Sequence, residues 1–96
     1  MYLKAHRSGG EVLIAVCDCN LIGKRFAEGH LQLEVCADFF GGEKATAEDL
    51  EDALFMATIA NLVGERSVGH AVRLGYVERE NVLMIKGIPC AQMVLM

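Results

Sequence analysis

Four cysteines are the residues of this sequence best suited to metal or thiol chemistry. Cys17 and Cys19 are separated by one residue, whereas Cys36 and Cys90 each stand alone. Four thiolates can complete a tetrahedral zinc site, but such sites usually pair their ligands as Cys-x₂₋₄-Cys, and this chain has no such pair. A buried cysteine also packs as a small apolar side chain. We therefore expect structural cysteines, with a zinc site and a reactive thiol as the alternatives.

The three histidines, His6, His30 and His70, share no metal-ligand spacing. Nucleophilic catalysis needs a base within hydrogen-bond reach of the nucleophile, so any cysteine–histidine pair would have to be assembled from distant parts of the chain. We predict no catalytic residue, no cofactor and no metal ligand. The alternative is a small enzyme or a metal or thiol protein that uses the four cysteines.

A second group of candidates is polar. Asn61 and Glu65 are four residues apart, and on a helix they would share one face beside Arg66. Together they offer a donor, an acceptor and a guanidinium suited to a carboxylate, a phosphate or a partner's backbone. The alternative is that Asn61 caps a helix while Glu65 and Arg66 form ordinary ion pairs. Gln92, in an apolar run, is either an outward strand position or part of the same site.

Basic residues are concentrated near the start of the chain. The net charge is −4, yet the first thirty residues carry four basic and three acidic side chains, and the rest carry five basic and ten acidic. The overall acidity disfavours a broad phosphate-binding surface. A local RNA-binding patch remains a further hypothesis against scattered solvated charges, and its candidate residues are Lys4, Arg7, Lys24 and Arg25.

Five predicted strands and two central helices must position these candidates. Gly9-Gly10 between two β-prone runs predicts a hairpin, and Thr46 is placed to cap a helix. A second helix, capped by Thr58 or Asn61, is expected to end at Gly75. The predicted strands cover 2–7, 12–17, 31–36, 82–85 and 90–95. The order β-β-β-α-α-β-β predicts an α+β fold, with a mixed or antiparallel sheet of about five strands packed against two helices.

The size and composition predict one domain, residues 1–96, with apolar residues left for contact surfaces. The apolar fraction is 53%, above the usual ~45–50%, and the run Cys90–Met96 is apolar to its end. Such a strand is either central in the sheet or paired with a second copy. No apolar run approaches the ~20 residues of a membrane helix, and the N-terminus lacks a signal-peptide pattern. We expect a cytoplasmic protein with reduced thiols and no membrane association.

Three segments of the chain resemble a known family. They are the opening Met1–Leu13 with its Gly9-Gly10, the central Ile59–Arg66, and the closing Gly87–Gln92. They are similar to the archaeal domain-of-unknown-function family 424, small stand-alone cytoplasmic proteins of about this length. The resemblance covers essentially the whole chain and implies no catalytic or binding role, since the family has no established activity. It suggests an association with RNA or translation. Cys90 stands where a histidine is expected in relatives.

The sequence thus favours a non-catalytic binding module. We expect it to self-associate and to attach to a protein or ribonucleoprotein partner. The reasons are the apolar excess, the acidic helix that begins at Thr46, and the lack of convergent catalytic residues.

Overall fold

The computed structural model describes residues 1–95 and resolves them into strands, helices and two 3₁₀ turns. The strands are β1 (Tyr2–Ser8), β2 (Glu11–Cys17), β3 (Arg25–Glu28), β4 (Leu31–Glu34), β5 (Glu43–Lys44), β6 (Ile59–Val63), β7 (Leu83–Ile85) and β8 (Ile88–Val94). The helices are α1 (Ala37–Phe40), α2 (Ala47–Met56) and α3 (Glu65–Arg73).

Six of the strands form one mixed sheet in the order β5-β1-β2-β6-β8-β7, and β3 and β4 form a separate hairpin. β2 and β6 run parallel, and every other neighbouring pair of these strands is antiparallel. The predicted α+β class with a mixed sheet is confirmed. Among residues 1–95, none of the helices combines the length and the apolarity needed to cross a membrane.

The β1–β2 hairpin forms where the sequence predicts it. Gly9 has a φ of 59°, a conformation that glycine adopts without the steric cost that other residues meet. β2 is buried from Ile14 to Cys17 and lies between β1 and β6. The apolar run of β2 is continuous because both faces of this strand are covered.

The predicted start of the first helix is also confirmed. The Thr46 hydroxyl accepts a hydrogen bond from the Asp49 N–H at 3.2 Å, and the Asp49 carboxylate accepts one from the Thr46 N–H at 2.9 Å. This reciprocal pair satisfies backbone donors that the first turn leaves without a helical partner. Leu50 and Leu54 form the buried stripe of α2.

The predicted second helix is wrong in its first part. Ile59–Val63 is strand β6, parallel to β2 on one side and antiparallel to β8 on the other. The segment is apolar enough for either structure, and pairing with two long strands decides the outcome. Gly64, with a φ of 111°, separates β6 from α3. The end of α3 is as predicted, because Gly75 follows it with a φ of 84°.

The segment between β2 and β4 contains a strand that is absent from the predicted set. A 3₁₀ turn covers Cys19–Leu21, and Arg25–Glu28 is strand β3, paired with β4 through a turn at Gly29. Gly29 has a φ of 60°, as a two-residue hairpin turn requires. The strand was not recognisable because only Phe26 of its four residues turns to the core.

The large sheet separates two apolar layers. On one side, here called the helix face, α2 and α3 pack over Ile14, Val16 and Leu62. On the other, the hairpin face, the β3–β4 hairpin and α1 cover Ala15, Cys17 and Val63 with the side chains of Leu33, Phe39 and Phe40 among others. The hairpin covers only part of its face, and this incomplete cover creates the site described next.

Candidate binding groove

An open groove of about 510 Å³ lies on the hairpin face. Its volume falls in the range of ligand pockets in proteins. Four residues that carry carboxamide side chains line it, together with the aromatic pair of α1, Leu83 and Cys90; they are Gln32, Asn61, Asn81 and Gln92. We call this feature the amide groove.

Strand register places two of the carboxamides side by side at the base of the groove. Asn61 of β6 lies directly opposite Gln92 of β8. The Gly64 N–H donates to the Pro89 carbonyl and the Leu95 N–H donates to the Thr58 carbonyl, so 64–89 and 58–95 are hydrogen-bonded pairs. Because the two kinds of pair alternate along an antiparallel ladder, 61–92 is a non-hydrogen-bonded pair. Residues in such pairs have Cα atoms about 4.5 Å apart and side chains on one face. Asn61 is half-buried and Gln92 is exposed.

Aromatic residues of α1 form one wall of the groove. Phe39 stacks on His6 with ring centroids 4.8 Å apart, and it meets Phe40 edge to face at 5.0 Å. His6 Nε2 also lies 2.9 Å from the Phe39 carbonyl oxygen. These contacts fix the position of Phe39, which therefore offers a preformed apolar surface to a ligand.

The groove carries little charge. Glu34 is the one ionisable acid or base among its lining residues apart from the Cys90 thiol. The Glu34 carboxylate lies 3.4 Å from the Arg25 guanidinium, and both side chains are largely exposed. An exposed pair of this kind contributes little to stability and can exchange partners at low cost.

Glu65 and Arg66 do not join Asn61 and Gln92. They occupy the exposed first turn of α3, which packs on the opposite, helix face of the sheet. The prediction that Asn61 and Glu65 share a helix face is wrong, because Asn61 is in β6. The Arg66 N–H donates to the buried Asp18 carboxylate at 3.0 Å. The start of α3 therefore has a structural partner within the chain.

The four basic candidates do not form one surface through their side chains. Lys4 donates from Nζ to the Asp38 carbonyl at 2.7 Å, and Arg25 pairs with Glu34. Arg7 is an odd-numbered residue of β1 and so lies on the opposite side of the sheet from Lys4. The fourth residue, Lys24, is exposed just before β3.

The cysteines are distributed over separate elements. Cys17 and Cys90 share one row of the hairpin face, with Val63 between them, so two strand spacings of about 4.8 Å separate their backbones. Cys36 is exposed at the start of α1 and Cys19 lies in the 3₁₀ turn after β2. Cys17 and Cys19 therefore do not share a strand face.

Burial reduces the reactivity of two of these thiols. Burial, with smaller contributions from Cys19 and Asp18, raises the pKa of Cys17 to about 11, and burial also raises the pKa of Cys90. A thiol with a raised pKa is a poor nucleophile at neutral pH, since the thiolate is the reactive form. Within residues 1–95, no three histidine, cysteine or acidic side chains are grouped as metal ligands would be.

His6 lies away from the groove thiol, and His70 belongs to α3, on the opposite, helix face of the sheet. His6 is on β1 and Cys90 on β8, three strand spacings apart, about 14 Å across the sheet. His70 of α3 lies with Nδ1 2.8 Å from the Arg73 guanidinium. Burial, followed by the charges of Arg73 and Arg66, lowers the pKa of His70 below 6.5.

Sequence reasoning identified Asn61, Cys90 and Gln92 as candidates but missed Gln32, Asn81 and Asp18. Gln32 alternates with leucines in β4, a pattern that indicates only an outward position. Asn81 lies in a polar turn before β7. Asp18 follows an entirely buried strand end, a position at which a carboxylate must find donors. That last signal was present in the sequence.

The chain is a small α+β protein with an open groove on one face of its sheet. Residues 6–96 match the family described as "Protein of unknown function (DUF424)". The chain belongs to this family. Comparison with curated proteins gives no match.

One solved structure is similar over nearly the whole chain. It is described as "Crystal structure of an uncharacterized conserved protein from Methanopyrus kandleri". The alignment covers 96% of this chain and 88% of that one, with a TM-score of 0.80 and 23% identity. The likeness shows the fold.

Proposed function

We propose that this chain is a non-catalytic binding module of the cytoplasm that attaches to a protein or ribonucleoprotein partner through the amide groove. The observation that carries the proposal is the groove itself, in which the paired Asn61 and Gln92 carboxamides, with Gln32 and Asn81 also among the lining residues, lie beside preformed aromatic and apolar surface. Carboxamides supply both donors and acceptors, as a recognition surface requires. Its four cysteines are all free, which supports a reducing compartment.

Leu83 provides the substitution that tests this use of the groove. Its side chain lines the groove and is 48% exposed, so Leu83→Glu places a carboxylate in the binding surface with little loss of core packing. We expect the purified variant, immobilised, to lose the partner that the wild-type protein retains from an extract of its native cells.

Phe55→Glu is the matched control, since Phe55 is 79% exposed on α2 and lies outside the groove lining. Phe55→Glu should retain the partner. Equal retention by Leu83→Glu and wild type would contradict a role for the groove. Treatment of the extract with ribonuclease then distinguishes a protein partner from a ribonucleoprotein.

Self-association is the second part of the proposal, and it is supported by the outer edge of β8. β7 pairs only with Ile88–Cys90 of β8. Because hydrogen bonds alternate along a strand, the backbone groups of Gln92 and Val94 point away from β6, and no strand within residues 1–95 pairs with them. Val94 and Leu95 are 52% and 68% exposed. An apolar strand edge of this kind can pair with a second copy.

Sedimentation velocity tests this part separately. We expect an oligomer for the wild-type protein and a shift towards monomer in Val94→Glu, with Phe55→Glu again as the control for an added carboxylate. A wild-type protein that sediments as a monomer at high concentration would contradict self-association and leave the groove proposal intact.

A further inference from the structure

We infer that the amide groove binds an extended polypeptide segment, which adds as a third strand to the free edge of β4. This inference rests on the proposed function and specifies its partner. It depends on where the backbone of the β3–β4 hairpin directs its hydrogen-bonding groups.

The register of the hairpin fixes those directions. The Val35 N–H donates to the Lys24 carbonyl at 2.9 Å, which makes 24–35 a hydrogen-bonded pair. Since pairs alternate along an antiparallel ladder, Gln32 opposite Ala27 and Glu34 opposite Arg25 are non-hydrogen-bonded pairs. The backbone N–H and C=O groups of Gln32 and Glu34 therefore point away from β3.

The same two residues line the amide groove. β3 and β4 form a two-stranded sheet, so no strand within residues 1–95 is hydrogen-bonded to the outer edge of β4. Gln32 and Glu34 thus present two backbone donors and two backbone acceptors at the groove wall. An added strand satisfies such groups in series, which is the basis of peptide recognition by strand addition.

The opposite side of the groove complements a bound strand. Successive side chains of an extended peptide point to opposite sides. One set would face Phe39 and Leu83, which are apolar, and the carboxamides of Asn61 and Gln92 would be available to the peptide's polar groups. The groove therefore accommodates main-chain recognition combined with alternate apolar side chains.

Charge decides between a peptide and a nucleic acid. Glu34 is the acid in the groove, the net charge of the chain is −4, and no lysine or arginine lines the groove. Nucleic-acid affinity depends on neutralising phosphates with cations. The complementary ligand is a neutral or basic peptide, with a lysine or arginine opposite Glu34 in place of Arg25.

A backbone-specific substitution tests this mode of binding. The probe is a peptide selected from a phage-displayed library of random twelve-residue sequences on the immobilised protein, and its affinity is measured by calorimetry. Gln32→Pro removes the outward N–H of β4 while keeping the ladder bonds made by Leu33, because proline is tolerated on an edge strand. We expect affinity to fall about tenfold or more, from the lost hydrogen bond and the proline ring at the edge.

Two variants separate the lost donor from other effects. Gln32→Ala removes the carboxamide and keeps the N–H, and we expect a smaller loss of about two- to threefold. Ala27→Pro removes the equivalent outward N–H on the opposite edge of the same hairpin, outside the groove, and should bind as wild type. Thermal melts of all three variants verify that the hairpin remains folded.

The outcomes distinguish this inference from the function on which it rests. Unchanged affinity of Gln32→Pro for the peptide would overturn strand addition, even where Leu83→Glu loses binding and so supports the groove. If selection enriches no peptide while the cellular partner is retained and released by ribonuclease, the ligand is an RNA and the inference is overturned. A selected peptide that binds Leu83→Glu as tightly as wild type would overturn both proposals.

Discussion

A methyl group added at Gly64 perturbs the junction between β6 and α3. Gly64 has a φ of 111°, and its Cβ would lie 2.5 Å from Oδ2 and 2.7 Å from Oδ1 of Asp18. Asp18 is 8% exposed and accepts hydrogen bonds from the Arg66 N–H at 3.0 Å and from the Ser67 N–H and hydroxyl, each at 2.9 Å. Gly64→Ala must therefore displace the carboxylate that caps α3.

The size of the effect follows from these contacts. Asp18→Ala removes a helix cap, which costs about 0.5–2 kcal/mol. It also leaves the buried Ser67 hydroxyl without its acceptor, at about 1–3 kcal/mol. We expect a loss of roughly 2–4 kcal/mol from these two effects. Gly64→Ala should cost about 1–3 kcal/mol through backbone strain. It should also lose part of the stabilisation that the Asp18 cap provides.

A double-mutant cycle measures how much of the destabilisation by Gly64→Ala arises from displacement of the Asp18 carboxylate. If Gly64→Ala acts partly by displacing Asp18, the two substitutions together should cost about 1–2 kcal/mol less than the sum of their separate costs. Urea unfolding followed by circular dichroism gives each free energy of unfolding. Gly10→Ala is the control: Gly10 has no positive φ and no atom within 4 Å of an added Cβ.

Two results would refute this reasoning. One is a Gly64→Ala variant as stable as Gly10→Ala, which should stay within about 0.5 kcal/mol of wild type. The other is strict additivity of Gly64→Ala and Asp18→Ala, which would show that the methyl group does not act through the carboxylate.

Three further predictions concern stability and reactivity. Gly69→Ala in α3 should raise the free energy of unfolding by about 0.5–1 kcal/mol, because the added Cβ meets only Arg73 Nη1, at 3.6 Å; destabilisation in urea would contradict this. Cys36, which is exposed, should react first with Ellman's reagent, whereas Cys17 should react only on unfolding; rapid labelling of Cys17, detected by mass spectrometry, would be inconsistent with its burial. Because the pKa of His70 is lowered in the folded chain, the unfolded chain binds that proton more readily, and stability should decline as pH falls through 6.5. His70→Gln should decline less, and identical pH profiles of the two proteins would exclude the effect.

Local signals in the sequence were sufficient for some elements. Thr46 and Asp49 form their capping box within four residues, and Gly9-Gly10 joins strands that are adjacent in the chain. In both cases the deciding contacts are local. The predicted start of the second helix, at a cap formed by Thr58 or Asn61, failed because Ile59–Val63 becomes a strand through pairing with β2 and β8, both distant in sequence.

The groove could be predicted only in part, for the same reason. Asn61 and Gln92 were recognised as polar residues in apolar surroundings, but their adjacency follows from the β6–β8 register. Gln32 comes from a separate hairpin and Asn81 from a 3₁₀ turn. No spacing along the chain relates these four residues, and only the folded structure brings them to one groove.

Amide hydrogen exchange at the edge of β4 tests the central claim most directly. In the protein bound to the selected peptide, NMR should show exchange slowed by about tenfold or more at the Gln32 and Glu34 amides, which the added strand would engage. The Ala27 amide, directed outward from the opposite edge, should exchange as in the free protein. Unchanged exchange at Gln32 and Glu34 in the saturated complex would contradict the account.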